Sequence, residues 1–425
     1  MKTIPYWQDD YPRPDTLPVS TLPGQVDVAV VGGGYTGLVA AYFLAKRGVA
    51  TAVLEQDRIG SGASSRHAGI VTTGFRQSLA NLFDLHGEAL GRRLWQASLE
   101  AVDLVGEIVA DEGIECDFTR RGHLTLAAKP SHFVSMKKLV AWYERELDFS
   151  LALLSAAEVA TAVGSPAYFG GMVNEWSASL HPTKYLYGLA GAVARHGGLL
   201  CEKTAVTRLE KQAQGFTVHT SQGTVKAREV LLATNGYSGK LVRPVQRLVF
   251  PMNSVAIVTE PLTAAQQTYL NPDGRIAQDS RWLHHYFRLT PDGRFLFGSQ
   301  RQWRLEPDLL DSADTLRRQM VQRFPVLEDQ PLAYVWSGNL GHTFDMVPHI
   351  GRLNGVHFAL GYSGQGVALS AYLGREAGFL LSGQKRHSPF VVIQPVTHFF
   401  FFFFFRNAPL LSYYYRFLVW VRLPL

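Results

Sequence analysis

The stretch from Val26 to Gly69 constrains the fold of this chain more than any other feature of the sequence. It begins with an apolar run, Val26 to Val31, broken only by Asp27, which is typical of a buried strand in a parallel sheet. The segment GGGYTG follows, then a helical run from Leu38 to Arg47 and a second short apolar strand that ends at Glu55. This order of strand, glycine-rich turn, helix, strand and acid predicts a βαβ unit that binds an adenine dinucleotide.

Each part of this fingerprint has a physical role in holding a dinucleotide. The G-x-G-x-x-G pattern consists of Gly32, Gly34 and Gly37. The first glycine allows the tight turn, the second lets the backbone approach a pyrophosphate, and the third lets the helix pack closely on the sheet. The helix N-terminus presents backbone N–H groups to the anion, and Tyr35 and Thr36 of the turn are counted among the cofactor-binding residues. Glu55 lies 18 residues after Gly37, close to the position where an acid accepts hydrogen bonds from a ribose.

The loop after Glu55 separates the possible cofactors. Its sequence, IGSGASSRHAG from Ile59 to Gly69, is rich in glycine and serine and contains one arginine. Such a loop can follow a second phosphate and present backbone to a large planar ring, and NAD enzymes normally lack it. The VVGGGYTGL start and the E-x-x-x-I-G-x-G-A-S-x-R continuation resemble the FAD-dependent D-amino acid oxidase superfamily, and within it the γ-glutamylputrescine oxidase group. The resemblance implies FAD as the cofactor and adds, as binding residues in this loop, Gln56, Gly62, Ala63, Ser64, Arg66, Ala68 and Gly69.

A second glycine-rich turn near the far end of the chain supports the same cofactor. The apolar strand from His357 to Leu360 leads into GYSGQGV, which opens a helix running to Leu381. In the superfamily this segment surrounds the pyrimidine end of the flavin, where the helix dipole favours negative charge, and Gln365 stands where relatives often carry a histidine. The resemblance also implies that the backbone at Val206 approaches the adenine. Its remaining cofactor residues are Ala233, Thr234, Asn235 and Gly236 in a closing turn, and Gly361, Ser363, Gly364, Gln365, Gly366 and Val367.

These elements predict an α/β fold of two domains, a Rossmann-like FAD-binding domain of discontinuous segments and a substrate domain with an antiparallel sheet. Alternation in LHHYFRLT and RFLFGS around a Pro-Asp-Gly turn predicts a hairpin of that second sheet. Helical spacing of apolar residues extends from about Leu79 to Glu112. The predicted boundaries are an N-terminal arm at 1–25, the FAD-binding domain at 26–75, 180–240 and 340–385, the substrate domain at 76–179 and 241–339, and an aromatic tail at 386–425.

Four side chains are catalytic candidates. Tyr286 and Arg288 share one face of a strand that lines the pocket in the superfamily. His67 lies beside the expected flavin position, and some relatives attach flavin covalently to a histidine in this region, although a hydrogen-bonding or packing role is the alternative that we favour. His342 is placed to face the flavin or, alternatively, to sit in a turn. The spacing of the histidines predicts no metal site.

The best sequence signal for the substrate is a missing arginine. Amino acid oxidases of the superfamily often carry G-x-R-P-x-T-x-D, in which the arginine holds the substrate carboxylate, whereas here Leu340 occupies that position. Leucine cannot pair with a carboxylate, and W-x-G-N, from Trp336 to Asn339, matches the γ-glutamylputrescine oxidase group. Arg288 or Arg301 could supply a carboxylate contact from another strand. We therefore expect an amine substrate, whose pKa is lowered by burial in an apolar pocket without a dedicated base.

The predicted reaction is oxidation of an amine C–N bond by hydride transfer to flavin, followed by hydrolysis of the imine, with O2 as electron acceptor and a place in polyamine catabolism. One alternative is a D-amino acid or N-methyl amino acid dehydrogenase that passes electrons to a membrane quinone. Another is a non-catalytic dinucleotide-binding protein. The chain carries a formal net charge of +6, but its basic residues are scattered and no nucleic-acid motif is present, so we expect no nucleic-acid partner.

Both ends of the chain bear on its location. The N-terminal sequence lacks an apolar signal core, which predicts a cytoplasmic protein. Near the C-terminus a run from Phe399 to Phe405 precedes a segment interrupted by arginines and a proline, too short without interruption to span a bilayer. We expect this tail to dock on the protein, and peripheral association with a membrane surface is the alternative.

Overall fold

Two eight-stranded sheets organise the part of the protein that the structure describes. The computed structural model describes residues 1–271, 273–300, 308–384 and 388–395. The strands of this described part are β1 Gln25–Val31, β2 Thr51–Leu54, β3 Ile70–Val71, β4 His123–Leu126, β5 Ala152–Leu154, β6 Gly171–Asn174, β7 Ala178–Ser179, β8 Leu199–Cys201, β9 Val206–Lys211, β10 Phe216–Thr220, β11 Gly223–Leu232, β12 Phe250–Thr259, β13 Ile276–Asp279, β14 His285–Leu289, β15 Phe295–Gln300, β16 Leu332–His342, β17 His349–Leu353 and β18 Val356–Leu360. Its α-helices are α1 Tyr6–Asp10, α2 Tyr35–Ala45, α3 Leu79–His86, α4 Glu88–Asp111, α5 Pro130–Leu147, α6 Ala156–Val163, α7 Pro182–Arg195, α8 Arg243–Gln246, α9 Ala264–Leu270, α10 Leu309–Arg323 and α11 Gly366–Leu381.

The first sheet is the predicted Rossmann-like unit. Its strand order is β17-β18-β11-β1-β2-β8, and β9 and β10 extend it as a meander beside β11. The pairs β11–β18, β1–β11, β1–β2 and β2–β8 are parallel. Helix α2 is buried almost all round because it packs between this sheet and its neighbours α7 and α11. The parallel strands therefore direct their carboxyl ends, where ligands bind in such folds, toward the glycine-rich turns.

The second sheet has the order β16-β12-β15-β14-β13-β4-β6-β5. Its pairs are antiparallel except for β13–β4, and β14 and β15 form the predicted hairpin, in register from His285–Ser299 to Leu289–Phe295. One face packs against α10 through a cluster of aromatic side chains that includes Phe287, Phe297 and Phe324. With its other face turned toward the first sheet, the second sheet completes the predicted two-domain α/β fold.

Two predicted elements differ from those observed. The helical run from Leu79 to Glu112 is interrupted, since Gly87 has φ of +83° and separates α3 from α4. The sequence pattern predicts two strands, Thr224 to Ala227 in an antiparallel meander and Glu229 to Ala233 in the parallel sheet, whereas the structure has one continuous strand, β11. The first half of β11 pairs with β10 and the second half with β1, so one strand serves both the meander and the parallel sheet.

The N-terminal arm contacts both sheets. It contains the short helix α1, whose Trp7 is fully buried. The backbone of Lys2 pairs with β16, its N–H donating to the carbonyl of Ala333 over 2.7 Å. At the other end of α1, Asp10 lies 3.0 Å from Nε2 of His181, next to the start of α7. The arm therefore bridges the two domains.

None of the helices within the described ranges is long and apolar enough to cross a membrane. The polyphenylalanine run and the rest of 396–425 lie outside the described residues, as does Arg301. The docking of the tail and the cytoplasmic location therefore stay predictions.

Candidate active site

A cavity of about 770 Å³ lies between the carboxyl ends of the parallel strands and the inner face of the second sheet. Most of the predicted site residues line it: Gly32, Gly34, Tyr35, Thr36, Glu55, Gln56, Gly62, Ala63, Ser64, Arg66, His67, Ala68, Val206, Ala233, Thr234, Asn235, Tyr286, Ser363, Gly364, Gln365, Gly366 and Val367. Residues about 330 positions apart in sequence thus form one continuous wall. Six predicted residues are not part of the lining: Gly37, Gly69, Gly236, Gly361, Arg288 and His342.

The first glycine turn is held by the acid that follows β2. Oε2 of Glu55 accepts a hydrogen bond from the Gly33 N–H over 2.8 Å, and Oε1 accepts one from the Asp57 N–H over 3.1 Å. Burial raises the pKa of Glu55. A Cβ atom at Gly37 would lie only 2.0 Å from the carbonyl oxygen of Gly32, so glycine is needed there for α2 to pack against the turn. Because a carboxylate has about four acceptor sites, Glu55 retains capacity for ribose hydroxyls.

The second glycine turn is joined to the A-T-N-G turn by a side chain. Oδ1 of Asn235 accepts a hydrogen bond from the Gly361 N–H over 2.9 Å. The N–H of Ser363 in turn donates to the Gly341 carbonyl over 2.9 Å. Gly236 packs against the backbone of Gly341. Gly236 and Gly361 therefore shape the wall from behind rather than line it.

The wall at α11 fits an adenine dinucleotide that carries a flavin. Gln365, just before the N-terminus of α11, lines the cavity, and its buried Oε1 has no hydrogen-bond partner within the described structure. Buried polar atoms are normally hydrogen-bonded, so this oxygen is suited to a donor on a bound ligand. The first glycine turn, Glu55 and the start of α11 are the groups that would hold a pyrophosphate, a ribose and the polar edge of a flavin, respectively.

The imidazole of His67 is neutral, and both of its nitrogens form hydrogen bonds within the protein. The Tyr35 hydroxyl donates to the Pro182 carbonyl over 3.0 Å. A hydroxyl has one proton to donate, so the contact of 3.0 Å between His67 Nε2 and Tyr35 Oη requires Nε2–H as the donor. Nδ1 accepts from the Gly69 N–H over 2.9 Å, and burial lowers the pKa of His67 to about 4. This arrangement favours the hydrogen-bonding role over covalent attachment of flavin at either nitrogen.

Tyr286 presents a neutral phenol to the cavity. Ser254 Oγ donates to the Ser299 carbonyl over 3.1 Å, so the Tyr286 hydroxyl donates to Ser254 Oγ over 3.0 Å. Burial raises the pKa of Tyr286 to about 12. The Tyr286 proton points to Ser254. The Tyr286 oxygen can therefore still accept a hydrogen bond from a ligand in the cavity.

Arg288 and His342 do not reach the cavity. Nη1 of Arg288 donates to the carbonyls of Ala68 and Leu180, each over 3.1 Å, and burial lowers the pKa of Arg288 to about 10. The His342 ring stacks on Phe250 with ring centres 5.8 Å apart, and burial lowers the pKa of His342 to about 3. The geometry thus offers no support for a direct catalytic role of either residue.

Several cavity residues were not predicted from the sequence. Arg76 lies in the wall, where Nη1 donates to His284 Nδ1 over 3.1 Å and Nη2 donates to the Trp282 carbonyl over 2.7 Å. His284 precedes Tyr286 by two residues, so strand alternation could have placed both on one face. Arg76 carried no comparable signal, because its contact depends on a loop that crosses to the second sheet. The other unpredicted polar side chains on the substrate side are Thr72, Ser254 and Gln278.

A dinucleotide cradle with a second glycine turn on the opposite wall defines an FAD-dependent oxidoreductase. The chain belongs to the family of FAD dependent oxidoreductases (DAO), which it matches over residues 27–380. This finding confirms the predicted family and FAD as the cofactor.

Relatives and solved structures agree with this assignment. The chain is 32% identical over 392 residues to the probable oxidoreductase OrdL of Haemophilus influenzae, covering 91% of this chain and 90% of that protein. It is also 32% identical over 360 residues to the gamma-glutamylputrescine oxidoreductase of Escherichia coli, covering 84% of each. The crystal structure of glycine oxidase from Geobacillus kaustophilus is similar, with a TM-score of 0.71 at 22% identity, over 88% of this chain and all of that one. The predicted fold class is thereby confirmed.

Proposed function

We propose that this enzyme oxidises the C–N bond of an amine whose carbon chain carries a distant acyl group, as in a γ-glutamyl polyamine. The observation that carries the proposal is Leu340 in the cavity wall, at the position where amino acid oxidases of the superfamily often use an arginine. Bound FAD supplies the acceptor for the hydride from the carbon that bears the amine. The resulting imine hydrolyses to a carbonyl compound and an amine or ammonia. The gamma-glutamylputrescine oxidoreductase among the relatives supports the same substrate class.

The cavity wall favours an uncharged amine. Of the described residues that line it, the carboxylates are Glu55 and Asp57, and both belong to the first glycine turn region. No carboxylate of the described wall is therefore available on the substrate side to stabilise an ammonium ion. Arg76 adds a positive charge there, and burial away from water also disfavours a protonated amine. The amine consequently binds in the form that can release a hydride.

The substrate is oriented by hydroxyl groups rather than by an acid–base pair. The oxygen of Tyr286 can accept a hydrogen bond from the amine N–H, since its own proton is donated to Ser254. Burial lowers the pKa of His67 to about 4 and that of His284 to about 3. These imidazoles are therefore too weakly basic to take a proton near neutral pH, and deprotonation of the amine depends on desolvation.

Anaerobic mixing of the FAD-loaded enzyme with candidate substrates tests the proposal. γ-Glutamylputrescine, N-acetylputrescine and putrescine are compared with glycine, D-alanine and L-proline, and loss of the flavin absorbance is recorded. We expect rapid bleaching with the acylated amines and little with the α-amino acids. Bleaching by the α-amino acids alone would refute an amine substrate.

We further propose O2 as the electron acceptor. The reduced enzyme is mixed with air-saturated buffer, and hydrogen peroxide is measured against the substrate consumed. One peroxide per amine oxidised is expected for an oxidase. Reoxidation by a quinone or dye without peroxide would instead identify a dehydrogenase.

A further inference from the structure

The turn between β13 and β14 forms part of the substrate side of the cavity wall. It consists of residues 280–284, and His284 at its end lines the cavity. Arg76, from the loop after β3, donates to His284 Nδ1 over 3.1 Å and to the Trp282 carbonyl over 2.7 Å. Two segments that are far apart in sequence therefore meet at this turn, and its position affects both of them.

The contact with Arg76 determines which nitrogen of His284 carries the hydrogen. An arginine side chain only donates hydrogen bonds, so Nδ1 accepts and the hydrogen of the neutral ring is on Nε2. Burial lowers the pKa of His284 to about 3, so the ring is neutral near neutral pH. His284 thus contributes an N–H donor to the cavity wall, and the direction of this donor depends on where the turn lies.

A buried aspartate holds both ends of the turn. Asp279 is the last residue of β13 and is 2% exposed. Its Oδ1 accepts hydrogen bonds from the backbone N–H of Arg281 over 3.1 Å and from that of His285 over 3.2 Å. Arg281 is the second residue of the turn and His285 the first residue of β14, so one carboxylate oxygen spans the turn.

The second oxygen of Asp279 connects the turn to α10. Oδ2 accepts a hydrogen bond from His285 Nδ1 over 2.9 Å and contacts the guanidinium of Arg281. Nε of Arg323, on α10, lies 4.0 Å from the same oxygen. Nε2 of His285 lies 3.1 Å from Oε1 of Gln319, which is also on α10. The turn is therefore held against the helix that packs on the second sheet.

These contacts lie on the face of the second sheet that is turned away from the cavity. Side chains alternate along a strand, so Asp279 is on the opposite face from its neighbour Gln278, which lines the cavity. Burial raises the pKa of Asp279, but the hydrogen bond from His285 and the charge of Arg281 outweigh burial and hold the pKa below its ordinary value. Asp279 is thus an ionised group that does not itself line the cavity but holds a segment of the cavity wall.

We propose that Asp279 is a positioning residue for the substrate side of the cavity and acts through the turn that carries Trp282 and His284. This inference rests on the proposed amine oxidation and adds a residue, on the far face of the sheet, that sets how tightly the amine binds. A loosened turn moves the His284 donor and the contact with Arg76, whereas the cofactor cradle in the first sheet keeps its shape. The amine should then bind less tightly while FAD is retained.

Amide hydrogen exchange of the FAD-loaded enzyme measures the turn directly. Asp279→Asn keeps the shape of the side chain but removes its charge and replaces one acceptor oxygen with an NH2 donor. The peptide that covers 280–286 should exchange about 10-fold faster in this variant, as expected for loss of a charged hydrogen bond. The peptide that covers 72–78 should also exchange faster, because it contacts the turn. Asp314→Asn, at an exposed position of α10, is the matched control and should leave both peptides unchanged.

Stopped-flow reduction of the flavin by N-acetylputrescine gives the effect on the reaction. The amine concentration at half the maximal rate should rise about 3- to 10-fold in Asp279→Asn, as expected when one hydrogen bond to the substrate is weakened. The maximal rate should change less than about 2-fold, because the lost interaction acts on binding and not on the hydride step. A role confined to stability would lower the amount of flavin-loaded enzyme and leave this concentration unchanged.

A second variant decides the question if Asp279→Asn does not fold. Arg281 is partly exposed and donates to Asp279, so Arg281→Met loosens the turn while Asp279 keeps its other donors. The half-saturating amine concentration should rise in Arg281→Met by a smaller factor than in Asp279→Asn. Arg318→Met, at an exposed position of α10, is the matched control and should leave it unchanged.

The outcomes separate this inference from the proposed function. Failure of N-acetylputrescine and γ-glutamylputrescine to bleach the wild-type flavin would refute amine oxidation, whereas the exchange measurement would still test the hold of Asp279 on the turn. Faster exchange of the turn at an unchanged half-saturating concentration would refute the positioning role alone. Loss of bound FAD in both Asp279→Asn and Arg281→Met would refute it too, because the cofactor cradle would then depend on the same contacts.

Discussion

The position of the Tyr286 phenol depends on the absence of a side chain opposite it. Gly298 is its register partner on β15, and a Cβ atom there would lie 2.3 Å from the Tyr286 ring. Gly298→Ala should therefore displace the phenol from Ser254 and lower kcat/KM about 10- to 100-fold, as expected when a positioning group moves by about 1 Å.

Steady-state kinetics and the flavin-to-protein ratio check this effect. The ratio should stay unchanged, because Gly298 lies in the second sheet and not in the cofactor cradle. Gly24→Ala is the matched control, since nothing lies within 4 Å of a Cβ atom at that position. Equal effects of the two substitutions would contradict the role given to Gly298.

The pKa values of the side chains that line the cavity predict how kcat/KM depends on pH. The pKa values of His67 and His284 are lowered by burial to about 4 and about 3, and that of Tyr286 is raised by burial to about 12. These three side chains keep one protonation state from about pH 6 to 9. In that interval kcat/KM should rise with pH, because a larger fraction of the substrate amine is unprotonated at higher pH.

The pH range over which kcat/KM rises should shift with the pKa of the substrate amine. Two acylated amines whose amino groups differ in pKa are compared, and the midpoint of log kcat/KM against pH is determined for each. The midpoint should follow the amine pKa. A midpoint that is the same for both amines would assign the titration to the enzyme and refute deprotonation by desolvation alone.

At the scale of elements, α1 acts as a support for the cofactor loop. Nε2 of Gln8 donates to the Gly60 carbonyl and to Ser65 Oγ, each over 2.7 Å. Ser65 is fully buried and also bonds back to the Gly60 carbonyl. Because the loop from Gly60 to Ala68 lines the cavity, a loosened loop should release the cofactor more readily.

Gln8→Ala tests this support. The rate of FAD release, followed by the change in flavin fluorescence, should increase by about 5- to 30-fold, as expected for loss of two hydrogen bonds of about 0.5–1 kcal/mol each. Gln214→Ala, at an exposed position after β9, provides the control. An unchanged release rate in Gln8→Ala would show that the loop holds its shape without α1.

The elements also show how far sequence reasoning reaches. The βαβ fingerprint and the alternating hairpin are local patterns, and both were found because periodicity and turn chemistry act over a few residues. The break at Gly87 was missed because the apolar spacing continues across it in α3 and α4. The helix α1 was missed because five residues give no periodic signal, and its stability comes from burial of Trp7 between the two domains.

At the scale of the whole molecule, the site depends on contacts that no local pattern specifies. Leu340 and the cradle glycines could be assigned from motifs, whereas Arg76 reaches the cavity only because the loop after β3 lies across the turn before β14. Arg288 illustrates the opposite case. Strand alternation correctly predicted that Arg288 lies on the same face of β14 as Tyr286. The first domain packs against β14 near Arg288, however, and the guanidinium donates hydrogen bonds to that domain instead of facing the cavity.

Arg288 should therefore stabilise the molecule rather than the reaction. Its guanidinium, fixed on β14, donates to the Ala68 and Leu180 carbonyls of the first domain and lies 5.6 Å from the centre of the Trp7 ring in the arm. Arg288→Met leaves both carbonyls without this donor, and a buried polar group without a partner costs about 1–3 kcal/mol. We expect the free energy of unfolding to fall by about 2–4 kcal/mol, measured by urea denaturation of the FAD-loaded enzyme.

Arg318→Met should change the free energy of unfolding by less than about 0.5 kcal/mol, as for an exposed surface position. If Arg288→Met instead abolishes flavin reduction while the unfolding midpoint and FAD content stay unchanged, Arg288 acts in the reaction and not as a contact between the domains.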